Sequence, residues 1–279
     1  MCDDGAGRRR AGRRRPRHAR TDVRPPGGTG AIETLESWGV AFVDPRIEEG
    51  KAKIASEAAV VLETARAAGD CPLSGEHVVV TGGSTSEPVD PVRVVTNRAS
   101  GKTGRAVAKA CYVRGADVTL VHDGPAVPYA ETRRVETAAE MLEAVADLTD
   151  DADALVSAAA IGDYTVEAAE EKIRSGQDLT LELSPTPKLI DEVRAAHPDL
   201  PIVGFKVETG GDDEAMVSAA RSTLERADLS FVVANDAGVM GETATRVLVV
   251  GPDDVREFEG SKADAGGVVA EELLVELRS

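Results

Sequence analysis

The chain has 279 residues, 42% of them hydrophobic, enough to build the core of one large domain or of a domain with an appendage. No apolar run approaches the roughly 20 residues that a bilayer-crossing helix needs, and the amino terminus lacks the apolar stretch of a secretory signal, so no membrane association and a cytoplasmic location are expected. A net charge of −17 with 3% aromatic residues argues against nucleic acid as a partner, and Cys2, Cys71 and Cys111, odd in number and far apart, suggest neither a disulfide framework nor a zinc site.

Residues 1–30 hold nine arginines against three aspartates, a net +6, so the rest of the chain carries −23. This first segment has no apolar periodicity and cannot bury enough surface to offset chain entropy, and it is expected to be a disordered basic segment. The body, rich in acids and poor in lysine, suits a high-salt cytoplasm, where charges are screened within roughly 3 Å at about 1 M salt, and a halophilic origin is the expectation. Residues 31–69 predict a short strand around Val40-Ala41-Phe42-Val43 and then a helix on which Ile54, Ala58, Val61, Leu62 and Ala65 share a face, ending at Gly69.

From His77 onward apolar strands alternate with helical patterns. Strands are predicted at Val78–Val80, Val118–Val121, Ala154–Ala158, Ile202–Phe205 and Phe231–Ala234, with helices near 102–114, 137–149, 186–196 and 212–226. Arg246–Val250 and Val255–Phe258 flank Gly251-Pro252-Asp253-Asp254 as a hairpin, and 264–278 reads as a closing helix. The fold class is α/β: a Rossmann-like, doubly wound, mostly parallel sheet with a C-terminal β-hairpin extension.

The segment from Thr81 to Gly104 is the most informative. It leaves an apolar strand through Gly82, Gly83 and Ser84, runs through a polar loop carrying Arg93 and Asn97, and enters a helix at Ser100-Gly101-Lys102-Thr103-Gly104. Ser100 is expected to cap that helix, whose free N–H groups, with the glycines and the Lys102 cation, form an anion-binding design. A guanidinium fork and an amide four residues apart suit gripping a carboxylate or phosphate. An ordinary solvated loop ahead of a capped helix is the alternative.

This segment resembles the signature of phosphopantothenate–cysteine ligase, the coenzyme A biosynthesis enzyme, in which an Asp-Pro-Val-Arg step, an Asn and a Ser-Gly-Lys-x-Gly helix start follow a glycine-rich turn. Three later stretches are similar to that family in the right order: Ala158-Ala159-Ala160-Ile161-Gly162-Asp163-Tyr164 with Glu171-Lys172-Ile173, then Val203–Thr209, then Val233-Ala234-Asn235-Asp236. The resemblance implies that 4′-phosphopantothenate attacks the α-phosphate of CTP, giving an acyl-cytidylate and pyrophosphate, after which the amine of cysteine displaces CMP. Positioning and charge neutralisation would lower the barrier, with Mg²⁺ shielding the departing pyrophosphate.

By the same resemblance Lys172 lies on a mobile flap and stabilises activation, Asn97 handles the acyl-cytidylate, and Arg93 lies near that intermediate. Ala159 and Ala160 hold the phosphopantothenate side, and Asp163 and Phe205 belong to the nucleotide site. Taken alone, Lys172 would be a solvated lysine beside Glu171, Asn97 or Asp163 a turn residue, and Phe205 part of a strand core. The family's Asn-Pro-Asp-Ile nucleotide loop appears here as Thr186-Pro187-Lys188-Leu189. Thr223 and Ala227 stand where the family carries triphosphate-contacting lysines, with only Arg221 and Arg226 nearby and Lys206 as a possible substitute.

The resemblance divides the chain into the basic segment 1–30, a remnant at 31–74 resembling the end of the flavin-dependent decarboxylase half with its linker, and a ligase domain at 75–279. No FMN is expected on this chain, and a decarboxylase partner could be a separate chain. A homodimer is implied, with the hairpin region in the interface and a partner loop completing each site. Two other readings compete with this one. An NAD(P)-dependent oxidoreductase would share the sheet, but after Gly83 no glycine appears until Gly101, so the G-x-G-x-x-G turn is missing. A non-catalytic nucleotide-binding protein would need the phosphate loop but neither Lys172 nor Asn97.

Overall fold

A computed structural model describes residues 29–176, 178–208, 212–236 and 244–279. It divides into two compact units at Val60–Val61. The disorder expected for residues 1–30 lies outside the described residues except at Thr29 and Gly30, which begin helix α1 (Thr29–Ser37).

The first unit differs from expectation. Val40–Val43 is irregular, with Val40 and Phe42 exposed, and pairs with no strand. The pairing occurs just downstream, where β1 (Arg46–Glu48) and β2 (Lys51–Lys53) form a polar hairpin whose Glu49 and Gly50 both have positive φ. Two left-handed residues make the tight turn whose twist matches that of paired strands, so turn chemistry outweighed apolar content here. Ile54 is 87% exposed and lies outside helix α2 (Glu57–Ala68), which starts after Ser56, whose hydroxyl accepts from the Ala59 N–H at 3.2 Å.

The second unit runs through β3 (His77–Thr81), β4 (Ser86–Pro88), β5 (Val94–Thr96), α3 (Lys102–Val113), β6 (Asp117–His122), β7 (Glu131–Arg134), α4 (Ala138–Thr149), β8 (Ala154–Ser157) and β9 (Tyr164–Val166). It continues with β10 (Leu183–Pro185), α5 (Leu189–Ala196), β11 (Ile202–Glu208), α6 (Asp213–Ala227), β12 (Phe231–Asp236), β13 (Ala244–Val250), β14 (Val255–Ser261) and α7 (Lys262–Glu276). One eight-stranded sheet has the order β14-β13-β12-β11-β8-β3-β6-β7, parallel from β7 to β12, with β13 and β14 added antiparallel. This is the doubly wound class predicted, and the C-terminal hairpin falls where expected.

The sheet is buried on both faces, which is why its strands read as continuous apolar runs. Val78 and Val80 of β3 face α3 and α7 with Val107, Cys111, Val268 and Leu273, whereas Val79 faces α4 to α6 with Met141, Val193 and Leu224. Gly266 allows α7 to touch α3, because a Cβ there would lie 2.6 Å from the Ala106 carbonyl carbon. Three further helices begin with side-chain caps that hold their N–H groups: Thr137 with Glu140 on α4, Asp212 on α6 and Ser261 on α7.

Three features carry too little apolar pattern to be read beforehand. They are edge strand β7, the β4–β5 hairpin inside the long loop, and the β9–β10 hairpin. The chain leaves β3 toward β6 on one side and later returns to β8 on the other, so a topological switch point lies between β3 and β8. Ligands in open α/β sheets bind in the crevice outside the carboxyl ends at such a point.

Candidate active site

The turn after β3 is shaped by main-chain contact. Gly83 has φ 78°, and a Cβ on it would collide with the Asp123 carboxylate. Gly104, in the first turn of α3, sits so close that a Cβ would be 2.9 Å from both Gly82 Cα and the Thr81 carbonyl oxygen. Gly101 precedes α3 in the left-handed region, and no side chain caps the helix. Ser100 therefore does not cap α3 as expected. Its carbonyl instead accepts from Arg105 Nη2 at 2.5 Å, and Gly101, Lys102, Thr103 and Gly104 at the start of α3 line the cleft.

The loop after β8 is stitched to this turn. The Ala160 N–H donates to the Gly83 carbonyl at 2.9 Å, the Ala159 N–H to Thr81 Oγ1 at 3.2 Å, and the Gly162 N–H to Thr85 Oγ1 at 2.8 Å. Asn97 Nδ2 donates to the Ala160 carbonyl at 3.0 Å. That bond brings together two segments 63 residues apart in sequence.

A cavity of about 690 Å³ opens at the switch point. Nine of the predicted residues line it: Gly83, Asn97, Ser100, Gly101, Lys102, Ala159, Ala160, Asp163 and Phe205. A second hollow of about 230 Å³ shares Ala159, Asp163 and Phe205 and adds Thr186, Pro187, Lys188, Leu189 and Arg226. Thr186 closes the link between the two, donating its hydroxyl to the Gly162 carbonyl at 2.5 Å and its N–H to the Asp163 carbonyl at 3.0 Å. Lys188 pairs with Asp163 at 2.5 Å, with both side chains more than half exposed, so the pair is worth roughly 0–1 kcal/mol and opens at little cost to an anionic ligand.

Other predicted residues lie elsewhere. Gly82 underlies the turn, and Ser84, 7% exposed, accepts from the Thr96 hydroxyl. Phe205 and Val207 face the cavity and Lys206 between them does not line it, as strand alternation requires. Of the two arginines near the missing lysines, Arg226 reaches the smaller hollow, where it also pairs with Asp191 at 2.7 Å, and Arg221 lines neither.

Arg93 and Lys172 line neither hollow. Arg93 pairs with Asp90 at 2.5 Å and donates to the Ile173 carbonyl at 3.1 Å, which places it beside the Lys172 segment. Lys172 itself is exposed. Asp90, 3% exposed, has a carboxyl held below its ordinary range: burial pushes it up, but the N–H groups of Val92, Ile173 and Arg93 and the guanidinium more than offset that.

Several contributors escape a reading of the sequence. Thr81 and Thr85 act through hydroxyls facing a loop some 80 residues away. Glu87, 4% exposed, accepts from the Ala138 N–H and from the Thr165 hydroxyl, both at 2.8 Å, fastening the β4–β5 hairpin to α4 and β9. Lys262, 9% exposed at the start of α7, lines the large cavity with Asn235 from β12. Its only sequence signal is the Ser261 cap beside it. His122, behind the Gly83 turn, is fully buried and accepts the Gly124 N–H on Nδ1 at 3.2 Å. Burial, then the nearby Arg105 charge, lowers its pKa and outweighs Asp123.

Among the described residues no three His, Cys, Asp or Glu side chains gather to hold a metal. Nor is any helix among them long and apolar enough to cross a membrane.

Residues 73–278 match the family model described as the DNA/pantothenate metabolism flavoprotein C-terminal domain. The chain belongs to this family. It is 46% identical over 232 residues to the coenzyme A biosynthesis bifunctional protein CoaBC of Thermococcus kodakarensis, covering 81% of this chain and 58% of that protein. To the CoaBC protein of Methanocaldococcus jannaschii it is 33% identical over 239 residues, covering 84% of this chain and 59% of the other. The chain thus spans less than two thirds of the length of these relatives. A crystal structure of the C-terminal domain of a CoaBC protein is similar to it with a TM-score of 0.64 and 26% identity, over 75% of this chain and 99% of the domain. The fold is accordingly that of a Rossmann-like family domain, although the loop of 17 residues between Gly83 and Gly101 replaces the short glycine turn of dinucleotide sites.

Proposed function

We propose that the chain joins 4′-phosphopantothenate to L-cysteine, using CTP to activate the carboxylate. The observation that carries this reading is the bond from Asn97 to the Ala160 carbonyl across the cavity, beside the uncapped start of α3. An amide there, backbone donors on one wall and Lys102 and Lys262 at the rim suit a dianionic substrate whose carbonyl must gain charge.

In the first step the substrate carboxylate oxygen attacks the α-phosphorus of CTP, the bond to the bridging oxygen breaks, and pyrophosphate leaves. The acyl-cytidylate remains. In the second step the cysteine amine adds to the acyl carbon, CMP leaves with the phosphate oxygen, and the amine loses a proton. Lys172 neutralises charge in the first step, and Asn97 with the Arg93 loop orients the acyl group in the second. Asp163, Phe205 and the segment Thr186–Leu189 hold the nucleotide, with Lys188 and Arg226 taking over phosphate contacts that lysines on α6 would otherwise make. Mg²⁺ would fit as an ion carried by the triphosphate, with Asp163 as the one carboxylate among the described residues that line the cavity, and there it would offset phosphate charge.

The same reading makes the chain a cytoplasmic homodimer adapted to high salt. Residues 75–279 are the ligase domain, and 31–74 resemble the end of a decarboxylase half. The test supplies the purified chain with phosphopantothenate, cysteine, Mg²⁺ and either CTP or ATP at several salt concentrations. Pyrophosphate, nucleoside monophosphate and amide product should form in equal amounts with CTP. An equal rate with ATP would reject the nucleotide assignment, and no amide with either nucleotide would reject the ligase reading.

A further inference from the structure

We infer that Asp90 is a positioning residue for Lys172, because its buried carboxylate fixes the main chain immediately after that lysine. The inference rests on the reading of Lys172 as the cation of the activation step. Asp90 Oδ1 is used within its own turn, accepting the N–H groups of Val92 and Arg93 at 2.8 and 2.9 Å. Oδ2 faces the other way. It accepts Arg93 Nη1 at 2.5 Å and the Ile173 N–H at 3.1 Å, from a segment 83 residues downstream.

Arg93 closes the ring by donating Nη2 to the Ile173 carbonyl at 3.1 Å, so both main-chain polar groups of Ile173 are held by this one acid–base pair. A second tie, the Ala169 N–H to the Val89 carbonyl at 2.9 Å, grips the chain three residues before Lys172. The turn that supplies both ties is itself closed by the Val89 N–H on the Arg93 carbonyl at 2.8 Å. Lys172 stands between the two ties with its side chain exposed. A long flexible cation thus springs from a root fixed to the same loop that carries Asn97. A plain turn would need only Oδ1, and the outward use of Oδ2 on a distant strand of chain is what a locating role requires.

The test uses the full chain and reads the two steps separately. In Asp90→Asn the oxygen can still close the turn, while the amide group offers hydrogens where Ile173 and Arg93 need an acceptor. Pyrophosphate formation should slow about 10- to 100-fold with the KM for CTP within about threefold, because a small misplacement costs rate more than binding. Ile173→Pro deletes the N–H that Oδ2 accepts without touching the turn, and should slow the same step to a similar degree. Ile173→Val keeps the N–H and should restore it.

The double variant Asp90→Asn with Lys172→Gln should be within about twofold of Lys172→Gln alone, since the root matters only if the cation is present. Multiplicative losses, or normal pyrophosphate formation by Ile173→Pro, would overturn the inference while leaving the Lys172 role intact. Normal pyrophosphate formation by Lys172→Gln would remove the role of Lys172 and the inference with it. Should Asp90→Asn fail to fold by circular dichroism, Ile173→Pro decides alone.

Discussion

The two sides of the site are built by different means. The cradle at the carboxyl ends of β3 and β8 is made of main chain pressed on main chain, with Gly82, Gly83 and Gly104 in contact and Ala159 and Ala160 stitched to the turn. The loop that carries Arg93 and the segment that carries Lys172 are held by buried carboxylates, Glu87 and Asp90, acting across long sequence separations. The first construction closes backbone on backbone, with two threonine hydroxyls and the Asn97 amide as short ties, and the second anchors the main chain at Ile173 and leaves the Lys172 side chain exposed. Under the proposed reaction, activation would follow a departing pyrophosphate and acyl transfer would hold a carbonyl still, and the two constructions would serve these two demands.

The largest effects should separate the two sides kinetically. Lys172→Gln should slow pyrophosphate release about 10²- to 10³-fold, the usual loss when one stabilising donor is removed from a reacting group. Asn97→Asp should leave release nearer to normal and instead accumulate the acyl nucleotide, detected by rapid quench and mass spectrometry. If both variants stall before pyrophosphate appears, the division of labour is wrong.

A steric change should break the cradle alone. Gly104→Val forces a side chain into the Thr81 carbonyl and Gly82, and should lose about 1–3 kcal/mol in urea unfolding together with both chemical steps. A stable and active variant would show that the cradle is softer than its contacts suggest. Glu87→Ala should cost a similar or smaller amount, about 1–3 kcal/mol, by orphaning the Ala138 N–H and the Thr165 hydroxyl.

The smallest effect concerns His122 behind the cradle. Its folded pKa lies below the ordinary 6.5, so as pH falls through 6.5 the unfolded chain takes up a proton that the folded chain refuses. Its contribution to stability is complete above pH 6.5 and diminishes toward the lower folded value. Urea midpoints measured from pH 7.5 to 5 should fall less steeply in His122→Leu than in the parent. Equal slopes would show that the ring takes up its proton alike in the folded and the unfolded chain.

The sheet was legible because burial on both faces leaves little choice of residue: Val78–Val80 and Phe231–Ala234 are apolar throughout. Val40–Val43 looked similar but found no neighbouring strand, and the polar hairpin beside it formed through a Glu-Gly turn that apolar periodicity ignores. The cradle was legible through its glycines and through Asn97, whose amide reaches Ala160. Ser100 was misread as a cap because its residue type suits one, whereas the positive φ of Gly101 takes the chain into the helix instead. Asp90 and Glu87 were not legible, since a carboxylate serving as an anchor differs from a solvated one only by partners that the fold brings from far along the chain.

Arg66 lies ahead of residue 73, where the family match begins, yet its guanidinium donates to the carbonyls of Tyr112, Gly115 and Ala116 and sits 4.1 Å above the Tyr112 ring. It therefore closes the far end of α3, the helix whose near end faces the cleft. A fragment cut at residue 73 would strip those donors from the carboxyl end of α3, so a fragment that keeps α2 should unfold at higher urea than one that starts at residue 73.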